Sequence, residues 1–226
     1  MIDKTVRTMA EAMAGIADGS IVLLGGFATI GEPRALLEGL IEQGAKELTI
    51  VANTAGRPND GLSRLIALGR VRKVMATFAR RSSSLAFHEL YRDGKIEFEL
   101  IPQGTLAEGL RAAGSGVPAY YTATAVGTPV AAGKEHREFD GRTYILERAL
   151  AGDVGLVEAW QADRWGNLTF RAAGRNFNPL VAMAAKLTIV QAQQMVRLGE
   201  LHPDQVVTSG IFVNRVLHVP YGDPPG

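Results

Sequence analysis

The chain contains no cysteine. This absence excludes disulfide bonds, thiolate nucleophiles and cysteine-ligated metals, and it is typical of a cytoplasmic protein, which is the location that we predict. An excess of one charge sign is also lacking, because 24 Lys and Arg residues stand against 23 Asp and Glu residues. Such a chain has no basic field of the kind that nucleic-acid binding requires, so nucleic acid is not a predicted partner.

Long hydrophobic runs are absent as well. Runs such as Ile21 to Leu24 are far shorter than the roughly 20 residues that span a bilayer, and the N-terminal segment carries acidic residues, unlike a signal peptide. We therefore expect no membrane association. The four histidines show neither HxH nor HExxH spacing, so no metal site is predicted, and His88 is expected on a helix surface.

The chain does contain an alternation of short apolar runs and helical periods. The runs predict strands at Ile21 to Leu24, Leu48 to Ala52, Lys73 to Thr77, Ile96 to Ile101, Val154 to Trp160, Leu187 to Gln191 and Ile211 to Val216. Helical spacing predicts helices at Thr5 to Ala17, Pro33 to Gln43, Leu62 to Leu68, Leu85 to Arg92, Thr105 to Gly114 and Leu180 to Ala185.

This order predicts an α/β fold with a mainly parallel sheet flanked by helices. Between Tyr120 and Glu147 the pattern loses its helical period, which predicts an irregular loop and a small antiparallel hairpin around Phe139 to Leu146. We expect a single domain over residues 1–219 and a disordered tail at residues 220–226.

A glycine-rich turn joins the first buried strand to a helix. Gly25, Gly26 and Gly31 allow positive φ and close approach of a ligand, and Pro33 is expected at the first helical position. Such a turn suits an anion or an acyl oxygen, although a purely structural role is an equal alternative. The predicted binding residues are Gly25, Gly26, Phe27, Ala28, Thr29, Ile30 and Gly31.

Six segments carry a family resemblance. They are DGSIVLLGGFATIGEP (residues 18–33), VANTAG (51–56), PQGTLAEGLRAAGSG (102–116), ADRWGNLTFR (162–171), RNFNPLVAMAAK (175–186) and SGIFVNRV (209–216). In this order they resemble the A subunit of the two-subunit 3-oxoacid CoA-transferases over about residues 2–219. That family usually has glycine where this chain has Ala28, so we expect Ala28 to avoid positive φ.

The resemblance implies CoA as a substrate, with no permanently bound cofactor. It further implies succinyl-CoA as the donor, 3-oxoadipate as the favoured acceptor with acetoacetate as the alternative, and a B subunit that completes an A2B2 heterotetramer. The family works by ping-pong chemistry through a glutamyl-CoA thioester, and the glutamate lies in a Ser-Glu-Asn-Gly motif on the B subunit. This chain has no Ser-Glu or Glu-Asn dipeptide, so the nucleophile is expected on the partner.

Two amide side chains are the candidates for the other half of the active site. Gln103 and Asn53 follow predicted strands, where parallel sheets present groups to ligands, and their amides suit stabilisation of an oxyanion. Both residues also have a structural alternative. Asn53 can simply form a turn, and Gln103 can satisfy backbone groups near a capping box made by Thr105 and Glu108. The family usually has asparagine where this chain has Thr54, so either Asn53 or Thr54 can take the role of the family asparagine.

Other polar and aromatic residues have weaker indications. Arg80 and Arg81 are either exposed loop charges or contacts to a dicarboxylate or to the CoA phosphates. Trp160 and Trp165 flank a Gly-Asn turn and are expected to pack in the core. Phe27 packs under the loop or lines the acyl pocket.

A different class of function shares a related fold. Sugar-phosphate isomerases and metabolite-sensing regulators are the alternative, since the glycine turn could hold a sugar phosphate. An isomerase needs its own acid and base, and a DNA-binding regulator needs a basic helix-turn-helix, and the sequence displays neither.

Overall fold

The computed structural model describes residues 2–58, 60–78 and 85–220. Its strands are β1 Thr5–Val6, β2 Ile21–Leu24, β3 Leu48–Thr54, β4 Val71–Phe78, β5 Glu97–Leu100, β6 Ala119–Thr122, β7 His136–Phe139, β8 Arg142–Arg148, β9 Gly152–Asp163, β10 Leu168–Thr169, β11 Ala185–Val196 and β12 Arg215–His218. Its α-helices are α1 Met9–Met13, α2 Arg34–Gln43, α3 Gly61–Ala67, α4 Leu85–Arg92, α5 Gln103–Gly114 and α6 Asn178–Ala184. Short 3₁₀ turns lie at Pro129–Ala131, Ala172–Arg175, Pro203–Gln205 and Gly210–Phe212.

A nine-stranded sheet forms the body of the protein. Eight strands follow the order β1-β12-β11-β9-β2-β3-β4-β5, and every neighbouring pair in that order is parallel. The ninth strand, β10, pairs antiparallel with β9. The near-continuous apolar runs of β2 and β3 are typical of strands covered on both faces. The predicted fold class is confirmed.

Helices cover both faces of this sheet and create two cores. On one face α1, α2, α3 and α4 contribute Met13, Leu36, Leu65 and Phe87, each almost fully buried. On the other face α5 and α6 contribute residues such as Leu106 and Val181. Among the described residues, none of the helices is long and apolar enough to cross a membrane.

The predicted antiparallel insertion is a separate small sheet. Its order is β6-β8-β7, and both pairs are antiparallel. The hairpin around Phe139 to Leu146 is therefore confirmed, whereas Ala119–Thr122 is an additional strand in a stretch predicted to be irregular. Its two adjacent tyrosines, with one small residue on either side, show no period of two that would indicate a strand.

Two terminal predictions are wrong. The expected helix from Thr5 to Ala17 is split, because Thr5–Val6 pairs with β12 and the helix starts after Thr8, whose side chain accepts a hydrogen bond from the Glu11 amide. The expected strand at Ile211 to Val216 is instead a 3₁₀ turn followed by β12. Pairing between the distant chain ends decided both outcomes, and no local pattern reports it.

Two helix starts also differ from expectation. Pro33 is the N-cap of α2 rather than its first helical residue. In α5 the N-cap is Pro102, so Thr105 lies inside the helix and makes no capping box. Glu108 pairs with Arg111 at 2.6 Å instead. The extended backbone at Pro102, with ψ of 143°, starts the helix earlier than the side-chain pattern suggests.

The Gly-Asn turn and the exposed histidine can be checked as well. The chain turns at Gly166, with φ of 84°, between β9 and β10, so the hairpin is confirmed. Trp165 is 45% exposed, which makes its predicted core packing wrong, while Trp160 is half-buried beneath the Arg171 guanidinium at 5.0 Å. His88 is exposed on α4, as expected. Arg80, Arg81 and residues 221–226 of the tail lie outside the described residues.

Candidate active site

The candidate residues lie at one edge of the main sheet. Strands β2, β3 and β5 are parallel members of it, so the segments that follow their carboxyl ends emerge on the same side. These segments are the glycine turn at residues 25–31, the end of β3 with Asn53, and the start of α5 with Gln103. The topology thus brings three separate sequence segments to one place.

The glycine turn is a tight two-residue turn. Phe27 and Ile30 exchange backbone hydrogen bonds of 2.9 and 3.1 Å, which leaves Ala28 and Thr29 at the tip. Ala28 has φ of 54°, so the expectation that it avoids positive φ is wrong. A type II′ turn requires positive φ at the first central position, and closure of this turn imposes that conformation on alanine.

Two asparagines from a remote segment hold the turn in place. The Asn176 side chain accepts from the Gly26 amide at 3.1 Å and donates to the Ile30 carbonyl at 3.0 Å. Asn178, which is fully buried, donates to the Gly31 carbonyl at 2.9 Å and accepts from the Glu158 amide at 3.0 Å. Sequence reasoning assigned neither residue a role, although both lie in the RNFNP segment.

The same asparagines explain why glycine is needed. A Cβ atom on Gly25 would lie 1.9 Å from Asn178 Oδ1, and one on Gly31 would lie 2.5 Å from the Gly174 carbonyl oxygen. At Gly26, φ is 107° and a Cβ would lie 3.0 Å from the Glu32 Cα. Glycine at these positions therefore lets the turn pack closely against the residues that hold it. Much of the glycine-rich pattern in the sequence thus has a structural cause.

Replacement of Gly26 provides a first test of the turn. We expect Gly26→Val to destabilise the protein by about 1–3 kcal/mol through backbone strain. Because the side chain also pushes against Glu32, we expect turnover of the two-subunit enzyme that the resemblance implies to fall about 10-fold. Gly19→Val is the matched control, since Gly19 also has a positive φ, of 78°, with no atom near its Cβ. Thermal unfolding and steady-state kinetics separate the effects, and unchanged turnover by folded Gly26→Val would make the turn purely structural.

Backbone amides of the turn are partly available to a ligand. Gly25, Gly26, Phe27 and Ile30 already donate within the protein. The amides of Ala28, Thr29 and Gly31 find no acceptor in the described part of the chain. Beside the tip, Phe27 is 42% and Ile30 49% exposed, so Phe27 does not pack under the loop. The turn presents both polar donors and apolar side chains to its surroundings.

Asn53 is a buried amide for which the described residues offer no partner. It lies within β3, not in a turn, and is only 4% exposed. Neither its Nδ2 nor its Oδ1 has a hydrogen-bond partner among the described residues. A buried amide left unsatisfied costs about 1–3 kcal/mol, so its presence calls for an explanation beyond folding.

Gln103 is the first residue of α5 and is half-buried. No hydrogen bond from its side chain to another described residue is present, and the N-cap position before it has no side-chain cap. The structural alternative, in which Gln103 satisfies backbone groups near a cap, thus finds no contact that supports it. Helix α5 packs on the face of the sheet that Val51 also faces, and Asn53 follows Val51 by two residues, so both amides belong to that face.

Two hydroxyl groups near these amides escaped sequence reasoning. Thr77 neighbours Asn53 across the β3–β4 pair, because Ala52 pairs with Ala76 and Thr54 with Phe78. The Oγ1 atoms of Thr77 and Thr105 lack hydrogen-bond partners in the parts of the chain that are described. Thr54, the alternative position for the family asparagine, points to the opposite face from Asn53 by strand alternation. This geometry favours Asn53 over Thr54.

Two buried carboxyl groups were also missed. Glu32, 5% exposed, lies in the exit of the glycine turn, and burial together with the nearby Asp60 charge raises its pKa to about 7. Glu158 in β9 is 8% exposed, and burial raises its pKa, while Gln191 and Gln193 donate to its carboxylate at 3.1 and 2.8 Å. The sequence indicates neither carboxyl group, apart from the position of Glu32 between Gly31 and Pro33 in the glycine-rich segment.

The fold and site define the class of this protein. The family model described as Coenzyme A transferase matches residues 6–218, so the chain belongs to the coenzyme A transferase family. It is 53% identical over 219 residues to the A subunit of 3-oxoadipate CoA-transferase from Pseudomonas putida, covering 97% of this chain and 95% of the relative. It is 47% identical over 207 residues to the A subunit of succinyl-CoA:3-ketoacid coenzyme A transferase from Xanthomonas campestris pv. campestris (strain B100), covering 91% of this chain and 85% of the relative.

A solved structure agrees with this assignment. The apoenzyme of an acyl-CoA transferase from Escherichia coli O157:H7 superposes with a TM-score of 0.84 at 25% identity. The match covers 99% of this chain and 49% of that protein, so this chain spans about half the length of that enzyme. The resemblance inferred from the six sequence segments is confirmed.

Proposed function

We propose that this chain is the A subunit of an enzyme that moves CoA from succinyl-CoA to a 3-oxoacid, with 3-oxoadipate as the acceptor. The names and identities of the two relatives support this choice. The observation that carries it is a pair of amides, Asn53 and Gln103, at one edge of the sheet beside the glycine turn, neither of which has a hydrogen-bond partner among the described residues. Such donors suit a developing oxyanion.

The proposed reaction needs a carboxylate nucleophile from the partner. The carboxylate attacks the thioester carbonyl carbon, a tetrahedral oxyanion forms, and the C–S bond breaks to release CoA thiolate and leave an acyl anhydride. The thiolate then attacks the glutamyl carbonyl and expels the acid as its carboxylate, which leaves an enzyme-bound thioester. The acceptor acid reverses these steps, and no net proton is consumed.

This chain's own residues act on the oxyanion rather than on the nucleophile. In the proposal the side-chain amides of Gln103 and Asn53 donate hydrogen bonds to it, with Thr77 beside Asn53 as a further donor. The turn residues 25–31 contact the CoA thioester through the available amides of Ala28, Thr29 and Gly31. Burial raises the pKa of both Glu32 and Glu158 and so disfavours the carboxylate form that attack on a thioester requires, which supports a nucleophile from the partner.

The assembly and location extend the proposal. A complementary B subunit follows from relatives that are themselves named as A subunits, and an A2B2 heterotetramer is the arrangement that we propose. The exposed apolar side chains of Phe27 and Ile30, which close the turn, suit contact with that partner or with CoA. A cytoplasmic location and a single domain over residues 1–219 remain predictions from the sequence.

Mixing of the two subunits tests the proposed function. We expect the purified chain alone to be inactive, and CoA transfer from succinyl-CoA to 3-oxoadipate to begin when the B subunit is added. The assay follows loss of succinyl-CoA with each protein separately and with both together, using 3-oxoadipate and acetoacetate as acceptors. Robust turnover by this chain alone would contradict the proposal. A preference for acetoacetate would make acetoacetate the acceptor instead of 3-oxoadipate and leave the proposed chemistry unchanged.

A further inference from the structure

A cavity opens on the other face of the sheet, between the exit of the glycine turn and the segment that follows β3. Its volume is about 600 Å³. Thr29, Glu32 and Arg34 line it from one side, and Arg57, Asp60 and Gly61 from the other. The same two segments carry the glycine turn and Asn53, so the cavity adjoins the candidate active site.

Two of the carboxylates that line this cavity already have partners of their own. Glu38 forms an ion pair with Arg64 at 2.5 Å. Asp60 accepts hydrogen bonds from the backbone amides of Arg57 and Ser63, at 2.5 and 2.6 Å. Neither carboxylate therefore draws on the two arginine side chains that line the cavity.

The two arginines keep their binding capacity. The Arg57 guanidinium makes no hydrogen bond or ion pair with any residue that the structure describes, and the side chain is exposed. Arg34 is 61% exposed, and its single ion pair with a described residue joins Nε to Glu32 Oε2 at a loose 3.4 Å. Paired guanidiniums are the groups that best recognise carboxylates.

Glu32 contributes a buried carboxyl group to the lining of this cavity. It is 5% exposed, and apart from the loose contact with Arg34 its Oε2 has no hydrogen-bond partner among the described residues. The charged groups around it are Arg34 on α2, Asp60 at the start of α3 and Glu158 on β9. A carboxyl group that is protonated in such surroundings donates a hydrogen bond, which suits an incoming carboxylate.

We propose that this cavity binds the distal carboxylate of a dicarboxylic acyl substrate through Arg34 and Arg57, with Glu32 in its neutral form as an additional donor. The inference rests on the proposed function, because the reacting carbonyl must lie near Asn53. Arg57 follows Asn53 by four positions, at most about 14 Å of extended chain. A short acyl chain and an arginine side chain together bridge that distance. The subsite thus selects substrates with a second carboxylate.

Matched donors test this selection in the assembled enzyme. Butyryl-CoA replaces the distal carboxylate of succinyl-CoA by a methyl group, and 3-oxohexanoate does the same for 3-oxoadipate. We expect Arg57→Gln and Arg34→Gln each to lower kcat/KM for succinyl-CoA by about 10- to 100-fold, the range for a hydrogen bond to a charged group. The rate with butyryl-CoA should stay unchanged. Where butyryl-CoA reacts too slowly, inhibition by succinate gives the same comparison through its Ki.

Controls separate the possible outcomes. Arg92→Gln removes an arginine that is 77% exposed on α4, and we expect it to leave kcat/KM unchanged for both succinyl-CoA and butyryl-CoA. An equal loss with both donors would mean that the cavity binds the CoA moiety common to both, and would overturn the proposal, as would no loss with either. Absence of succinyl-CoA turnover in the unmodified complex would instead remove the proposed function itself. Thermal unfolding of each variant verifies that it is folded.

A pH series supplies a second, independent readout. Because the pKa of Glu32 is about 7, the group loses its proton and its donor capacity as the pH rises through neutrality. KM for succinyl-CoA should therefore rise relative to that for butyryl-CoA between about pH 6 and 8. Glu32→Gln, which keeps a neutral donor, should flatten this ratio. A ratio that stays pH-dependent in Glu32→Gln would exclude Glu32 from the subsite.

Discussion

Gln103→Ala should lower the turnover of the assembled two-subunit enzyme by about 10²-fold or more, the scale seen when one oxyanion donor is removed. The oxyanion carries its charge mainly in the transition state, so KM should change much less than kcat. Since the Gln103 side chain makes no hydrogen bond with the described residues that would stabilise the folded chain, the melting temperature should change little.

The alternative role of Gln103 predicts a different result. A capping or turn role would cost about 1 kcal/mol of stability and leave turnover intact in the folded fraction. Arg111→Gln on the exposed side of the same helix is a suitable control, because it removes only the ion pair with Glu108. Melting temperature, complex formation and kinetics should be measured on both variants. A destabilised but fully active Gln103→Ala enzyme would leave Asn53 and the turn amides as the donors.

Asn53→Leu should change stability and activity in opposite directions. Replacing a buried, unsatisfied amide by an apolar side chain of similar size removes a desolvation penalty, so the isolated chain should gain about 1–3 kcal/mol in unfolding free energy. Turnover of the assembled enzyme should fall by about 10²-fold, because a donor to the oxyanion is lost. Functional sites commonly show this opposition between stability and activity.

Thr49→Val is the matched control for this variant. Thr49 lies on the same strand and faces the same side, is 3% exposed, and has an Oγ1 without a partner in the described residues. It lies near the opposite end of β3, away from the ligand-binding edge. Denaturant unfolding should show that both variants are stabilised, while kinetics should show that only Asn53→Leu loses activity. An Asn53→Leu enzyme with full turnover would contradict a catalytic role.

Much of the fold was readable because local patterns and tertiary packing agree. Strand β2 at Ile21–Leu24 and helix α4 at Leu85–Arg92 have the predicted bounds, since both contain strong periodic signals. The split of the expected N-terminal helix could not be read, because Thr5–Val6 becomes a strand only through its pairing with β12 at the far end of the chain. Pairing energy between distant segments overrides local propensity there.

In the candidate site, too, some features could be predicted from the sequence and others depend on the tertiary structure. Gln103 and Asn53 were identified from sequence because motifs of a known family carry them. Their lack of partners among the described residues, which makes them interesting, is a property of three-dimensional packing and has no local signature. Asn178 holds the glycine turn across 147 residues of chain, and the raised pKa of Glu32 arises from burial against Asp60 and Glu158. Such environments exist only once the sheet has formed.

The sequence by itself determined the class of fold, the glycine-rich turn, the family and the absence of the family's Ser-Glu-Asn-Gly nucleophile motif, because composition and ordered motifs are local quantities. Only the tertiary structure decided the geometry of the turn, where closure between Phe27 and Ile30 forces positive φ on Ala28. It alone decided that Asn53 is buried without a partner among the described residues and that two arginines line one cavity with Glu32. Burial, pairing and charge environment depend on residues far apart in sequence, and a parallel sheet brings such residues together at the carboxyl ends of its strands.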